Sequence, residues 1–169
     1  MKLSPRTEVK AFGDCAHSEF IEFRLRGESH SGLCIQDESG DRRFLVLSTK
    51  DDTLLFRLCP YSKSEEVLSY GTDWSLSPCG QIGTPEDAFK EKGSLLLTSQ
   101  GTFMVCVENR QGFDDELVCR LDEAEVFSLT ARPRGGFSRK QWQIHYYDSE
   151  RDARQRLAGK DANESDHEH

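Results

Sequence analysis

The chain lacks the short motifs by which many enzymes and metal proteins are recognised. It contains no G-x-x-x-x-G-K-[ST] or G-x-G-x-x-G phosphate loop, no G-x-S-x-G nucleophile elbow and no H-E-x-x-H zinc helix. Its six cysteines never stand at the C-x-x-C spacing that structural zinc sites use. We therefore expect no catalytic residue set, no bound metal and no cofactor.

Long apolar runs are also missing. No stretch approaches the roughly 18 residues that a membrane-spanning helix needs, and the first ten residues lack the apolar middle of a secretory signal. We expect a cytoplasmic or nuclear protein without membrane contact, whose cysteines stay as thiols. Acids outnumber cations, 30 to 22, and the formal charge is −8. Binding to double-stranded nucleic acid is disfavoured, because it depends on Lys and Arg that neutralise phosphates.

Part of the sequence occurs twice. Residues 34–58 resemble residues 106–129, and the spacing between the copies is 72 residues at the start and 71 at the end. Each copy alternates apolar and polar positions between turn-forming residues, which predicts a repeated strand–turn–strand–turn–strand unit. Matched positions share chemical character: Cys34 with Cys106, Gly40 with Gly112, and Phe56 with Phe127.

The period-two alternation predicts an all-β fold of about nine to ten strands, either an antiparallel β-sandwich or a closed β-barrel. We expect one β domain over residues 1–158, built from two similar halves at about 18–58 and 95–147. The predicted strands are 20–26, 33–36, 44–48, 53–58, 67–70, 95–98, 102–108, 116–121, 124–130 and 141–147.

Little regular structure is expected outside these strands. The connector 59–94 is rich in Pro and Gly, and we expect one short helix there from Pro85, with Thr84 as its N-cap. A second short helix is expected within residues 148–158. Residues 159–169 are predicted to be a flexible acidic tail.

The strongest candidate for a binding site is the segment 132–142, R-P-R-G-G-F-S-R-K-Q-W. Guanidinium groups bind carboxylates and phosphates, and aromatic rings stack on bases or on a partner's side chains. Tyr70 and Trp74 in the connector are further binding candidates, although they are equally suited to plug one end of a barrel. In the segment itself the candidates are Arg132, Arg134, Phe137, Arg139, Lys140 and Trp142; a solvated hairpin whose cations pair with the protein's own acids is the alternative.

Residues 108–125 form an acidic counterpart, with seven acids against two arginines. We favour a non-enzymatic interaction protein that binds another macromolecule, most simply a protein, through the basic segment, the acidic face or both. The alternative is a barrel that encloses a small ligand or a lumenal active site, with inward aromatic residues such as Phe103, Phe127 and Trp142. Single-stranded nucleic acid is a third candidate, limited by the net charge.

Overall fold

The computed structural model describes residues 7–25, 27–37, 39–148 and 153–158. Strands make up 54% of the structure, and the fold is a closed six-stranded barrel with additional strands. This confirms the all-β prediction and selects the barrel over the sandwich. Fourteen strands lie in the described part: β1 Glu8–Ala11, β2 Phe20–Leu25, β3 Glu28–Gln36, β4 Arg42–Ser48, β5 Arg57–Pro60, β6 Glu66–Ser69, β7 Trp74–Cys79, β8 Leu95–Thr98, β9 Gly101–Arg110, β10 Phe113–Arg120, β11 Glu125–Ser128, β12 Phe137–Arg139, β13 Gln141–Asp148 and β14 Ala153–Ala158.

The barrel consists of two three-stranded meanders. Strands β3, β4 and β5 pair antiparallel in sequence order, and so do β9, β10 and β11. Two parallel contacts close the ring, one between β5 and β9 and the other between β11 and β3. Sequence-adjacent strands pair antiparallel because short turns connect them, whereas the parallel closures join strands from different meanders.

A left-handed residue precedes the third strand of each meander. Phe56 has φ 59° and its carbonyl accepts a hydrogen bond from Val107 N at 3.0 Å. Ala124 has φ 52° and its carbonyl accepts one from Gln36 N at 2.9 Å. Because both are left-handed and precede the third strand, Phe56 corresponds in structure to Ala124 and not to Phe127. At the third strand the structural alignment of the two meanders thus differs from the sequence alignment by three residues. Descent of the two halves from one duplicated unit stays a prediction.

Side chains fill the barrel interior. Successive residues of a strand point to opposite faces, so Leu33 and Ile35 of β3 face inward while Cys34 faces outward. The inward set joins one cluster whose buried members are at most 8% exposed: Phe20, Leu33, Ile35, Leu45, Leu47, Leu55, Phe56, Leu58, Leu95, Met104, Cys106, Leu117, Cys119, Leu121, Ala124, Val126, Trp142 and Ile144.

Different elements cover the outer faces of the two meanders. Strands β1, β6 and β2 pair in that order beside β3 and bury a cluster that includes Phe12, Phe23 and Phe44. The second meander carries a smaller outer cluster, in which Phe103, Leu96 and Val118 pack with Ala88 of the helix α1, Pro85–Ala88. Phe89 and Leu129 pack against that cluster while only partly buried. The second cover is therefore thinner.

The helix α1 begins where the sequence predicts. Thr84 is its N-cap, Pro85 occupies the first turn, and Asp87 Oδ2 accepts hydrogen bonds from Thr84 N and Oγ1 at 3.0 and 2.9 Å. The expected C-terminal helix is wrong for residues 153–158, which form β14 and pair with β13. An available strand edge here outweighs the helix propensity of Ala, Arg and Leu. Residues 149–152 and the predicted tail 159–169 lie outside the described residues.

The strand count exceeds the prediction because β1, β7, β12 and β14 were not expected. All four are short pieces at or near sheet edges. Pro78 lies within β7, opposite Trp142 of β13, and proline is tolerated in a strand that has an edge free. Among the described helices, none is both long and apolar enough to cross a bilayer.

Candidate interaction surface

Trp142, a predicted contact residue, belongs to the core. Its side chain is 3% exposed, its ring centroid lies 5.9 Å from that of Phe56, and its Nε1 donates a hydrogen bond to Gly93 O at 2.8 Å. The prediction that Trp142 binds a partner at the surface is wrong, because β13 turns this side chain towards the barrel. Its alternation with the buried Ile144 already indicated that direction.

Tyr70 and Trp74 are half-buried against the same core cluster. The Tyr70 hydroxyl donates to Glu22 Oε2 at 2.9 Å, and Trp74 Nε1 donates to Ser18 O at 2.7 Å. Both rings are therefore fixed in position by their polar ends. This geometry matches the plugging role that the sequence left open, while each residue keeps part of its surface in solvent.

The basic loop begins with a tight, well-defined turn. Leu129–Ala131 forms a 3-10 turn capped by Ser128 Oγ, which accepts from Thr130 N at 3.4 Å. Two left-handed glycines follow the arginines, Gly135 at φ 76° and Gly136 at φ 100°. A Cβ on Gly136 would lie 2.3 Å from Leu97 O, so the loop returns to the sheet only with glycine there.

An open cleft of about 710 Å³ lies between this loop and α1. We call it the arginine cleft; its walls carry Glu86 and Phe89 on one side and Leu129, Arg132 and Arg134 on the other. The Arg132 guanidinium lies over the Phe89 ring, 4.8 Å from its centroid. Such stacking holds the cation in place while leaving its N–H donors accessible.

The four cations of the segment differ in whether they already bond to other residues of the protein. Arg139 donates to Gly80 O, and its Nε is buried without a hydrogen-bond partner among the described residues. Lys140 lies 3.6 Å from Glu91 across the surface. Arg132 and Arg134 are exposed, and neither forms an ion pair with any residue in the described part of the chain. The candidate site thus narrows to these two arginines.

Phe137 lies on a different face from the arginine cleft. Ser138 is buried beside Gly83, and this backbone pair is joined by hydrogen bonds of 3.0 and 3.1 Å. Because side chains alternate, Phe137 points away from α1 and shares its face with Ile82. The two are 62% and 63% exposed. The structure therefore does not place Phe137 beside Arg132 and Arg134, as the sequence had suggested.

The predicted acidic face centres on the β9–β10 hairpin, whose residues 111–116 are all exposed. Arg57 donates two hydrogen bonds to the Asp114 carboxylate at 2.7 and 2.8 Å, and Asn109 donates a third at 3.2 Å. These bonds, from Arg57 first, lower the pKa of Asp114 to about 2. These bonds fix the hairpin to β5. Asp115 and Glu116 form no comparable side-chain bonds with other described residues.

Sequence reasoning missed Phe113, which is 77% exposed beside the two-residue turn of this hairpin. An aromatic residue directly after Gly112 in a predicted turn was the available signal. The tip lies far from the arginine cleft: Asp114 and Arg120 stand at opposite ends of β10, ~20 Å apart at 3.3 Å per residue. Arg120 and Pro133, which follows Arg132, line the same shallow hollow. The acidic and basic patches thus occupy opposite ends of one strand.

All six cysteines are free thiols. Burial raises the pKa of the Cys15 thiol to about 12, so it is not poised as a thiolate beside the exposed His17. No group of three or more metal-ligating side chains converges within the described residues.

Comparison with protein-family models, with curated proteins and with solved structures finds no match to this chain.

Proposed function

We propose that this protein is a non-enzymatic interaction protein that binds another protein through the arginine cleft. The observation that carries the proposal is the pair Arg132 and Arg134, two exposed cations without ion-pair partners among the described residues, on the wall of a cleft of about 710 Å³. An unpaired guanidinium in a preformed cleft favours a carboxylate of a partner, because the planar fork matches its two oxygens.

The chemistry of the cleft favours a protein over a nucleic acid. Phe89 and Leu129 provide an apolar floor, and Glu86 places a negative charge on the wall opposite the arginines. A phosphate backbone would meet only two free cations and one acid on a chain of net charge −8. An acidic segment with an apolar side chain satisfies both the floor and the arginines.

The filled interior weighs against the alternative of a lumenal ligand or active site. Trp142 is the inward aromatic that the alternative predicted correctly, and it packs within the core. Phe103 lies in the outer cluster beneath α1, and Phe127 lines a shallow surface hollow. The acidic hairpin tip with Phe113 is a second surface for a protein partner. Because it lies ~20 Å from the cleft by strand length, one partner would have to span the barrel to touch both.

The test is binding of a native partner, purified after capture by the wild-type chain and titrated by calorimetry. Arg132→Glu combined with Arg134→Glu removes two charge-assisted bonds and adds repulsion, so we expect affinity to fall at least about 100-fold. Raising the salt concentration should weaken wild-type binding. Arg139 is left unchanged, because its bond to Gly80 O is structural.

The matched control is Lys50→Glu combined with Lys63→Glu, which makes the same change in net charge at two exposed positions elsewhere. It should leave the affinity within about twofold of wild type, since the cleft is untouched. Equal losses in the two double variants would show a general charge effect. Full binding by the Arg132 and Arg134 variant would remove the cleft from the function.

A further inference from the structure

A second hollow, of about 540 Å³, lies where the three-stranded sheet β7–β13–β14 meets one end of the barrel. We call it the Trp74 hollow. It is bounded by the start of β7, the loop before β2 and the turn between β10 and β11. Its volume falls within the range of small-ligand sites, roughly 300–1,000 Å³. It is separate from the arginine cleft and shares no lining residue with it.

The indole of Trp74 is fixed in this hollow. Its Nε1 donates to Ser18 O at 2.7 Å, and Ser18 N in turn donates to Cys34 O of the barrel at 2.9 Å. Ser18 has φ 67°, a left-handed conformation that disfavours a residue with a Cβ by about 1–2 kcal/mol. The indole N–H is thus already used, and the ring can offer a ligand only its carbon surface.

The floor of the hollow is apolar and belongs to the core. Leu121 is 1% exposed and Leu76 packs against the barrel cluster. Core side chains are closely packed, so this floor does not rearrange readily when a ligand enters. A ligand must therefore place an apolar face against Trp74 and the two leucines.

The rim of the hollow is polar. The Asp122 carboxylate accepts from Thr102 N at 3.2 Å and from Arg120 Nε at 3.2 Å, which fixes its direction. The side chains of Thr72, Thr102 and His17 also line the hollow, and they form no hydrogen bond with other described residues. Hydrogen-bond acceptors and donors of these side chains thus surround the exposed face of the Trp74 ring.

The charges select among ligand classes. Arg120, the cation nearest the carboxylate, is held by Asp122 at 3.2 Å and by Glu123 at 2.8 Å. An anionic ligand would find no free cation among the described lining residues and would be repelled by Asp122. A wholly apolar ligand would displace water from the rim hydroxyls without replacing their hydrogen bonds. A neutral ring with one apolar face and several hydroxyl groups satisfies all of these constraints.

We propose that the Trp74 hollow binds an uncharged sugar ring, with its C–H face on the indole of Trp74 and its hydroxyl groups bonded to Asp122 and the surrounding threonines. Charge-assisted bonds from hydroxyl groups to the carboxylate provide the polar part of the affinity. The proposal is independent of the protein-binding function, since neither Arg132 nor Arg134 contributes to it.

The experiment is saturation-transfer NMR on the full chain with glucose, galactose, mannose and N-acetylglucosamine, each to about 50 mM, well above a Kd of about 1 mM. At least one sugar should receive saturation from the protein. Asp122→Asn keeps the side-chain size but removes the charge, and we expect affinity for that sugar to fall about tenfold or more. Asp52→Asn, the same change at an exposed turn outside the hollow, should leave it unchanged.

Trp74→Leu should abolish the signal, and the circular dichroism spectrum of this variant establishes that the barrel is intact. If Trp74→Leu does not fold, the Asp122→Asn result decides alone. No transfer to any of the four sugars, or an equal Kd from the titrations of wild type and Asp122→Asn, overturns the proposal. An indole beside a carboxylate can also bind an organic cation, and a parallel titration with tetramethylammonium tests for this. Binding of that cation without binding of any sugar also overturns it.

Discussion

The two tryptophans allow one chemical change to be compared in the core and at the surface. Trp142→Phe removes the donor that bonds Gly93 O at 2.8 Å, at a side chain that is 3% exposed. Trp74→Phe removes the donor that bonds Ser18 O at 2.7 Å, at a side chain that is half-buried beside an open hollow. The lost bonds are similar in length, and the surroundings differ.

The expected losses of stability follow from that difference. At position 142 a buried carbonyl oxygen loses its partner, at about 1–3 kcal/mol, and the missing part of the indole leaves a void. Together we expect Trp142→Phe to lower the free energy of unfolding by about 2–4 kcal/mol. Water can reach Ser18 O in Trp74→Phe, so we expect only about 0.5–1.5 kcal/mol there.

Urea denaturation followed by circular dichroism measures both variants without relying on tryptophan fluorescence. With a slope of about 2 kcal/mol per molar urea, Trp142→Phe should shift the midpoint by about 1–2 M, and Trp74→Phe by less than about 0.8 M. Below its unfolding transition, Trp142→Phe should bind the native partner like wild type, since Trp142 does not line the arginine cleft. Equal midpoint shifts would refute the assignment of Trp142 to the core. Selective loss of partner binding in a folded Trp142→Phe would do the same.

Two further predictions concern the backbone and the pH dependence of stability. Gly32→Ala places a Cβ 1.8 Å from Leu45 O at the bulge of β3, and we expect a loss of about 3 kcal/mol or more in urea denaturation. Its control is Gly27→Ala at φ +85°, where nothing lies within 4 Å and only about 1–2 kcal/mol of backbone strain is expected; equal losses would contradict the close approach of β3 and β4. Burial alone would raise the pKa of Glu19, but hydrogen bonds from Lys10 at 2.9 Å and Ser69 at 2.7 Å lower it below the ordinary 4.5. Because the folded pKa lies below the unfolded one, this stabilisation is present above about pH 4.5 and is lost as the pH falls through the folded pKa. Glu19→Gln should therefore be less stable than wild type at neutral pH and lose less on acidification, and parallel curves of unfolding free energy against pH would contradict the assignment.

Period-two alternation located most of the barrel strands because those strands bury one or both faces. The predicted strand 53–58 is wrong over residues 53–56, which form a turn, and β5 runs over Arg57–Pro60. Leu95–Thr98 was predicted at the observed bounds, and β2 and β13 within one residue. The missed strands carry little alternation, since a strand at a sheet edge can expose both faces. Their pairing depends on neighbours far along the chain, such as β1 with β6.

The sequence indicated the segment that carries the candidate site, but not which of its cations are free to contact a partner. Whether a cation is free depends on contacts that span the chain: Arg139 meets Gly80, 59 residues away, and Arg132 meets Phe89. Neither contact has a local signal. The glycines after Arg134 did predict a loop, and the left-handed φ of Gly135 and Gly136 gives the physical reason.

The position of the arginine cleft follows from an asymmetry between the two meanders. Their strands run in the same order and close the barrel by equivalent parallel contacts. Three strands with several aromatic residues cover the outer face of the first, whereas the second has Leu96 of β8, a four-residue helix and one 3-10 turn. A cover that small leaves Phe89 and Leu129 only partly buried, so the basic loop passes over an apolar surface that it does not fill. Among the described residues, this cleft combines an incomplete outer cover with two arginines that form no ion pair, and both features support it as the site of the proposed protein contact.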